Sequence, residues 1–103
     1  MPVVYVENSD QFYRLINSSQ KVVVDFTASW CGPCRQMAPV FHDLSGEYSD
    51  VLFLTVDIDK VGDVARYYSV SSLPTFKFFY SRHVYNTVIG ANRPALEYGV
   101  QTL

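Results

Sequence analysis

Apolar positions along the chain follow two alternating rhythms. "VVYV" (3–6) is apolar and largely β-branched, as a first strand would be. Asn8 is then placed to cap a helix, with Gln11 three residues later as in a capping box. Phe12, Leu15 and Ile16 follow at helical spacing. "KVVVDFT" (21–27) is a nearly continuous apolar run, the pattern of a strand covered on both faces. From Pro33 the rhythm changes. Met37, Val40, Phe41, Leu44 and Tyr48 mark one face of a long helix. Pro39 lies inside it and should kink it, because it removes a backbone donor and crowds the carbonyl one turn back. "VLFLTVDI" (51–58) predicts a third buried strand, and Val61, Val64, Ala65 and Tyr68 another helix face. "TFKFFY" (75–80) and "VYNTVI" (84–89) are close enough to pair as an antiparallel hairpin. Asn92 can cap a last helix carrying Leu96, Val100 and Leu103, which Gly99 should weaken.

The predicted order is βαβαβαββα. Strands joined by helices pair in parallel through right-handed crossovers, and the last two add antiparallel neighbours. The expected architecture is α/β: a mixed five-stranded sheet flanked by four helices lying on both faces. Length bounds this to one domain over residues 1–103.

Composition changes the picture mainly by exclusion. The chain is 49% apolar and 17% charged, with a formal net charge of −2. It has no basic stretch on which nucleic acid or an anionic membrane could dock. No apolar run approaches the roughly 20 residues needed to span a bilayer. The N-terminal "MPVVYVENSD" has neither a positive region nor a small-residue cleavage site, so no signal peptide is read there. Two cysteines are too few for a secreted disulfide scaffold, which makes a reducing compartment, the cytoplasm, the expected location.

The two cysteines, Cys31 and Cys34, straddle the predicted strand-to-helix junction. At that spacing their Cα atoms lie about 5–6 Å apart, a distance at which a disulfide opens and closes with little backbone movement. Cys31 falls at the helix N-terminus, where free N–H groups and the macrodipole favour a thiolate, so it is the candidate nucleophile. Cys34 lies one turn inside and is the candidate resolving thiol. Pro33 suits the first helical turn, and Gly32 leaves the sulfur approachable. Three other readings compete with redox chemistry. A structural disulfide would contribute only about 2 kcal/mol by closing so short a loop. A zinc site needs four ligands, and only His42 and His83 are available, far apart in the chain. Two inert thiols are the third. Asp25 favours redox chemistry: it sits among Val22, Val23, Val24 and Phe26, where a carboxyl is driven to hold its proton near neutrality and so can carry one.

At these residues the sequence resembles the thioredoxin family. "WCGPC" (30–34) matches the family's active-site motif letter for letter, "VDF" (24–26) its buried-Asp strand, "LPTF" (73–76) its cis-proline loop and "GAN" (90–92) its groove glycine. The Gly-Pro between the cysteines differs from the Pro-Tyr usual in glutaredoxins and the Gly-His of protein disulfide isomerase domains. The resemblance implies a protein-disulfide reductase that works through a mixed disulfide on Cys31, with Cys34 resolving it and Asp25 taking the proton. It implies a cis Pro74 opposite the cysteines. It also implies a substrate groove lined by Trp30, Gly32, Pro33, Ser72, Leu73, Pro74, Gly90 and Ala91, with the Trp30 indole bonded to Asp59. No cofactor and no metal are expected, the cysteine pair being the redox group. The implied partners are an NADPH-dependent flavoprotein, thioredoxin reductase, and disulfide-containing substrates such as peroxiredoxins, ribonucleotide reductase and methionine sulfoxide reductases. A monomer is expected.

Some positions depart from family patterns. Thr27 and Thr55 stand where many bacterial members have Trp and Lys, which makes the chain more like animal members. Tyr68 and Ser72 replace the extra cysteines of some animal members, excluding dimerisation or regulation through them. "YSRHV" carries Arg82 where a Gly turn is usual, so a longer or strained turn is expected. The rival functional readings are an oxidant or isomerase, and a binding subunit that holds a partner without turnover.

Overall fold

The computed structural model describes residues 2–103. Its elements run β1 (Val4–Tyr5), α1 (Ser9–Ser18), β2 (Lys21–Thr27), α2 (Gly32–Glu47), β3 (Leu52–Asp57), α3 (Gly62–Tyr67), β4 (Thr75–Tyr80), β5 (His83–Ile89) and α4 (Arg93–Gln101). The five strands form one mixed sheet in the order β1-β3-β2-β4-β5. β3 pairs in parallel with both β1 and β2, while β4 runs antiparallel to both β2 and β5. This is the architecture the periodicity predicts, with the first strand trimmed to two residues.

Alternation along β2 sorts the core into two halves. Val22, Val24 and Phe26 join Phe12, Ile16, Val64 and Phe79 beneath α1 and α3. Val23 joins Phe53, Phe76 and Phe78 beneath α2 and α4, where Met37, Phe41, Leu44, Leu96 and Val100 pack. Asp25 shares the face of Val23, so the strand carries its carboxyl toward α2. Tyr68 packs its ring among Phe12, Phe26 and Phe79.

The caps form as their sequences suggest. Asn8 Oδ1 accepts from the Gln11 N–H at 2.8 Å, and Gln11 Oε1 reaches back to the Glu7 N–H at 2.6 Å. Asn92 Oδ1 accepts from the Ala95 N–H at 3.1 Å. α2 continues as helix through Pro39.

Of the two expectations for the β4–β5 turn, longer or strained, the structure shows the second: Tyr80 and His83 pair directly, leaving only Ser81 and Arg82 between them. Both have positive φ, +48° and +75°, the left-handed pair that a two-residue hairpin requires to match strand twist. The strain expected at Arg82 is therefore present, in a short turn. Further along, the register shifts between Phe78 and Phe79 and leaves Tyr85 as an extra residue on the edge strand.

Gly99 has a packing role that the sequence reading leaves out. It is buried in α4, and a Cβ there would run into the Phe78 ring. The glycine lets helix and sheet approach closely, so its packing role outweighs its poor helix propensity. Gly99→Ala is expected to lower unfolding free energy by about 1–2 kcal/mol despite alanine's better propensity. Urea unfolding checks this; a stabilised variant would show that α4 has room to move.

Candidate functional site

The site assembles where β2 ends and α2 begins. Chain reversal over 28–31 is held by the Cys31 N–H donating to the Ala28 carbonyl at 3.1 Å. Cys31 is the N-cap of α2, and its Sγ accepts from the Cys34 N–H at 3.2 Å. That sulfur therefore occupies the place where a helix N-terminus stabilises negative charge. The two cysteines are joined in a disulfide, with Cα atoms 5.3 Å apart. Both are buried, in a small cluster with Ala28, Ile58 and Leu73.

The two cysteines face different spaces. Cys31 lines a surface groove of about 400 Å³ together with Trp30, Gly32, Pro33 and Leu73. Ile58, Val70 and Ser71 complete its walls, and the sequence reading leaves these three out. No local pattern marks them: Ile58 directly follows β3, Val70 and Ser71 lie in the loop after α3, and only the fold brings these two segments together beside Cys31. Cys34 lines a separate cavity on the other side.

The remaining expected groove residues lie outside its walls. The Leu73–Pro74 bond is cis and Pro74 is buried. Its carbonyl accepts from the Gly90 N–H at 2.8 Å, which ties the start of β4 to the end of β5. Gly90 has φ +93°, a conformation that favours glycine. The Ser72 carbonyl is taken by Thr75 Oγ1 at 2.6 Å. Ala91 is exposed beside Gly90.

Trp30 is 64% exposed, and its Nε1 donates to Asp59 Oδ2 at 2.9 Å. Asp59 is in turn oriented by its own N–H, which donates to Asp57 Oδ1 at 2.8 Å. Trp30 is the chain's single tryptophan and adjoins Cys31 in sequence. Its emission is therefore expected to change when the disulfide is reduced, and Asp59→Ala should alter both spectra by freeing the indole. Identical spectra in the two redox states would contradict this placement.

Asp25 is 4% exposed, and its Oδ1 has no hydrogen-bond partner. Burial alone pushes its carboxyl up from 3.8 to about 7. Its neighbours across the sheet are Thr55 on β3 and Phe76 on β4, neither of them charged. No group of three or more His, Cys, Asp or Glu side chains able to hold a metal ion occurs among the described residues.

A disulfide at a helix N-terminus, with its two sulfurs lining different spaces, is an arrangement able to undergo thiol exchange. The family model described as thioredoxin matches residues 3–102. The chain belongs to the thioredoxin family. Horse (Equus caballus) thioredoxin is 43% identical over 103 residues, covering 98% of each chain. Rice (Oryza sativa subsp. japonica) thioredoxin H2-1 is 42% identical over 87 residues, which are 84% of this chain and 63% of the longer rice protein. A solved structure of Plasmodium falciparum thioredoxin superposes with a TM-score of 0.94 at 34% identity, covering 96% of this chain and 97% of that one. The fold is the thioredoxin fold, and the activity is that of a thiol-disulfide oxidoreductase acting on proteins through its Cys31–Cys34 pair.

Proposed function

We propose that the chain works mainly as a reductant of protein disulfides, in the steps that follow. With the pair reduced, the Cys31 thiolate attacks a substrate sulfur lodged in the groove. A Cys31–substrate disulfide forms and the first substrate thiolate leaves. Asp25, directly or through a bridging water, then takes the proton from Cys34. The Cys34 thiolate attacks Cys31 Sγ, closing the Cys31–Cys34 bond and releasing the second substrate thiolate. Electrons balance: one substrate disulfide gains two, and one disulfide forms in this chain.

The observation that carries the reading is the asymmetry of the two sulfurs. Cys31 caps the helix and lines the groove; Cys34 lines the separate cavity, whose wall also holds Thr27 and Thr55, the residues that flank Asp25 on its sheet face. Trp30, Gly32, Pro33 and Leu73 supply an apolar wall for substrate, with Ser72, Pro74, Gly90 and Ala91 shaping the loops behind it. The cysteine pair is the redox group, so no cofactor is required.

The resemblance supports thioredoxin reductase as electron donor, and peroxiredoxins, ribonucleotide reductase and methionine sulfoxide reductases as acceptors. It also supports a monomer in a reducing compartment, the cytoplasm. No helix of the described residues is long and apolar enough to cross a membrane. The test is NADPH oxidation by a thioredoxin reductase in the presence of this protein and insulin. Turnover that depends on all components supports the reading. Binding of the reductase without NADPH oxidation favours a binding subunit instead.

A further inference from the structure

A cavity of about 370 Å³ lies behind the disulfide, between α2 and the ends of β1, β2 and β3. It is distinct from the substrate groove, and Cys34 is the only cysteine in its wall. Its size is within the range of small-molecule sites. The inner wall is apolar, formed by Val6, Ala28, Ala38 and Cys34. Arg35, Lys60 and Asp57 supply the charge of the lining, two cations against one anion, and the excess holds below about pH 7, where the Asp25 carboxyl behind it keeps its proton. Asp57 is already engaged, its Oδ1 accepting from the Asp59 N–H. Arg35 spends one guanidinium nitrogen, Nη1, on the Ser29 carbonyl at 2.9 Å, which fixes its head beside the cavity. The exposed Lys60 is the second cation in the wall.

We infer that this cavity is a binding site for a small apolar monocarboxylate, its tail against Cys34, Ala38 and Val6 and its carboxylate toward Lys60 and Arg35. Apolar walls reward the tail, and the excess positive charge selects an anionic head over a neutral or cationic one. Such an occupant would cover Cys34 from the side away from substrate. It would also lie over Asp25, because Thr27 and Thr55, which flank Asp25 on its sheet face, both line the cavity. The bound molecule would hinder proton removal from Cys34 and slow release of the mixed disulfide, while leaving the groove and the attack by Cys31 open. This effect on turnover rests on the roles proposed above for Cys34 and Asp25; the binding does not.

The test uses octanoate, with 1-octanol as its uncharged counterpart. Isotope-labelled oxidised protein is titrated with octanoate to about 10 mM, and with octanol up to its lower solubility limit, while backbone amides are followed by NMR. Octanoate is expected to give saturable shifts in residues 5–6, 27–29, 34–38 and 55–60. Lys60→Glu, an exposed change that leaves the fold intact, should weaken octanoate about fivefold and leave octanol unaffected. Ala38→Phe, which fills the cavity, should abolish both sets of shifts. Absence of saturable shifts, shifts confined to Trp30 and Leu73, or octanoate binding indifferent to Lys60→Glu overturns the site. In a parallel assay octanoate should slow insulin reduction by the parent protein and not by Ala38→Phe. Cavity binding with unchanged turnover leaves the site standing and overturns the regulatory effect drawn from Cys34 and Asp25.

Discussion

Asp25→Asn is expected to make the protein markedly more stable above neutral pH and to change little in acid. In the folded chain Asp25 gives up its proton at about 7, against 3.8 for an unburied carboxyl. As pH rises through that interval, the unfolded chain releases this proton while the folded chain keeps it. Parent stability therefore falls from about pH 4 to about pH 7 and stays reduced above. At roughly 1.4 kcal/mol per pH unit the loss amounts to about 4 kcal/mol. An amide has no charge to desolvate, so the variant lacks this decline. It keeps a buried polar group of similar size, so the two proteins should be close at pH 4. Urea unfolding of both oxidised proteins near pH 4 and near pH 8.5 measures the difference. A variant that is less stable than its parent at the higher pH would mean that the ionised carboxyl has a partner. The same change should slow the resolving step by up to about 100-fold, the lower end of what a positioned general base contributes. Attack by Cys31 should change less, because the activation proposed for that sulfur comes from the α2 N-terminus and not from Asp25.

Cys34→Ser and Cys31→Ser should fail in different ways, although each removes one sulfur from the same bond. In Cys34→Ser the helix-capping thiol remains at the groove, so attack proceeds and nothing resolves the product. Multiple turnover is expected to vanish while a stable Cys31–substrate disulfide accumulates to about one per chain. In Cys31→Ser the remaining thiol lines the rear cavity, buried and away from the groove. It should form little or no adduct. Intact-mass analysis after incubation with an activated disulfide distinguishes them. Equal trapping by both variants would contradict the assignment of Cys31 as the attacking sulfur.

The order of elements was legible because each rests on a local pattern. β2 is an apolar run, α2 repeats its apolar face every turn, and Asn8 and Asn92 announce the helices they cap. Cys31, Cys34 and Asp25 were legible for a similar reason, since their types are out of keeping with their positions unless chemistry explains them. What escaped depends on contacts between distant segments. Gly99 reads as a weak point in α4 until Phe78 is seen against it. Ile58, Val70 and Ser71 are unremarkable in sequence and become groove walls only when the end of β3 and the loop after α3 come together beside Cys31. The rear cavity is likewise a product of how α2 crosses three strand ends, which no periodicity records. Arg82 was legible as an oddity, but a two-residue turn follows from the pairing of Tyr80 with His83.

The central claim is that Cys31 and Cys34 pass two electrons to a protein disulfide and close on each other in doing so. It is tested most directly by mixing the fully reduced protein with insulin, quenching with acid and alkylating the free thiols for mass analysis. The account predicts that each insulin disulfide opened is matched by one chain losing both thiols, with Cys31 and Cys34 recovered as a single disulfide-linked peptide. Insulin left intact while this chain keeps two alkylatable thiols would contradict it.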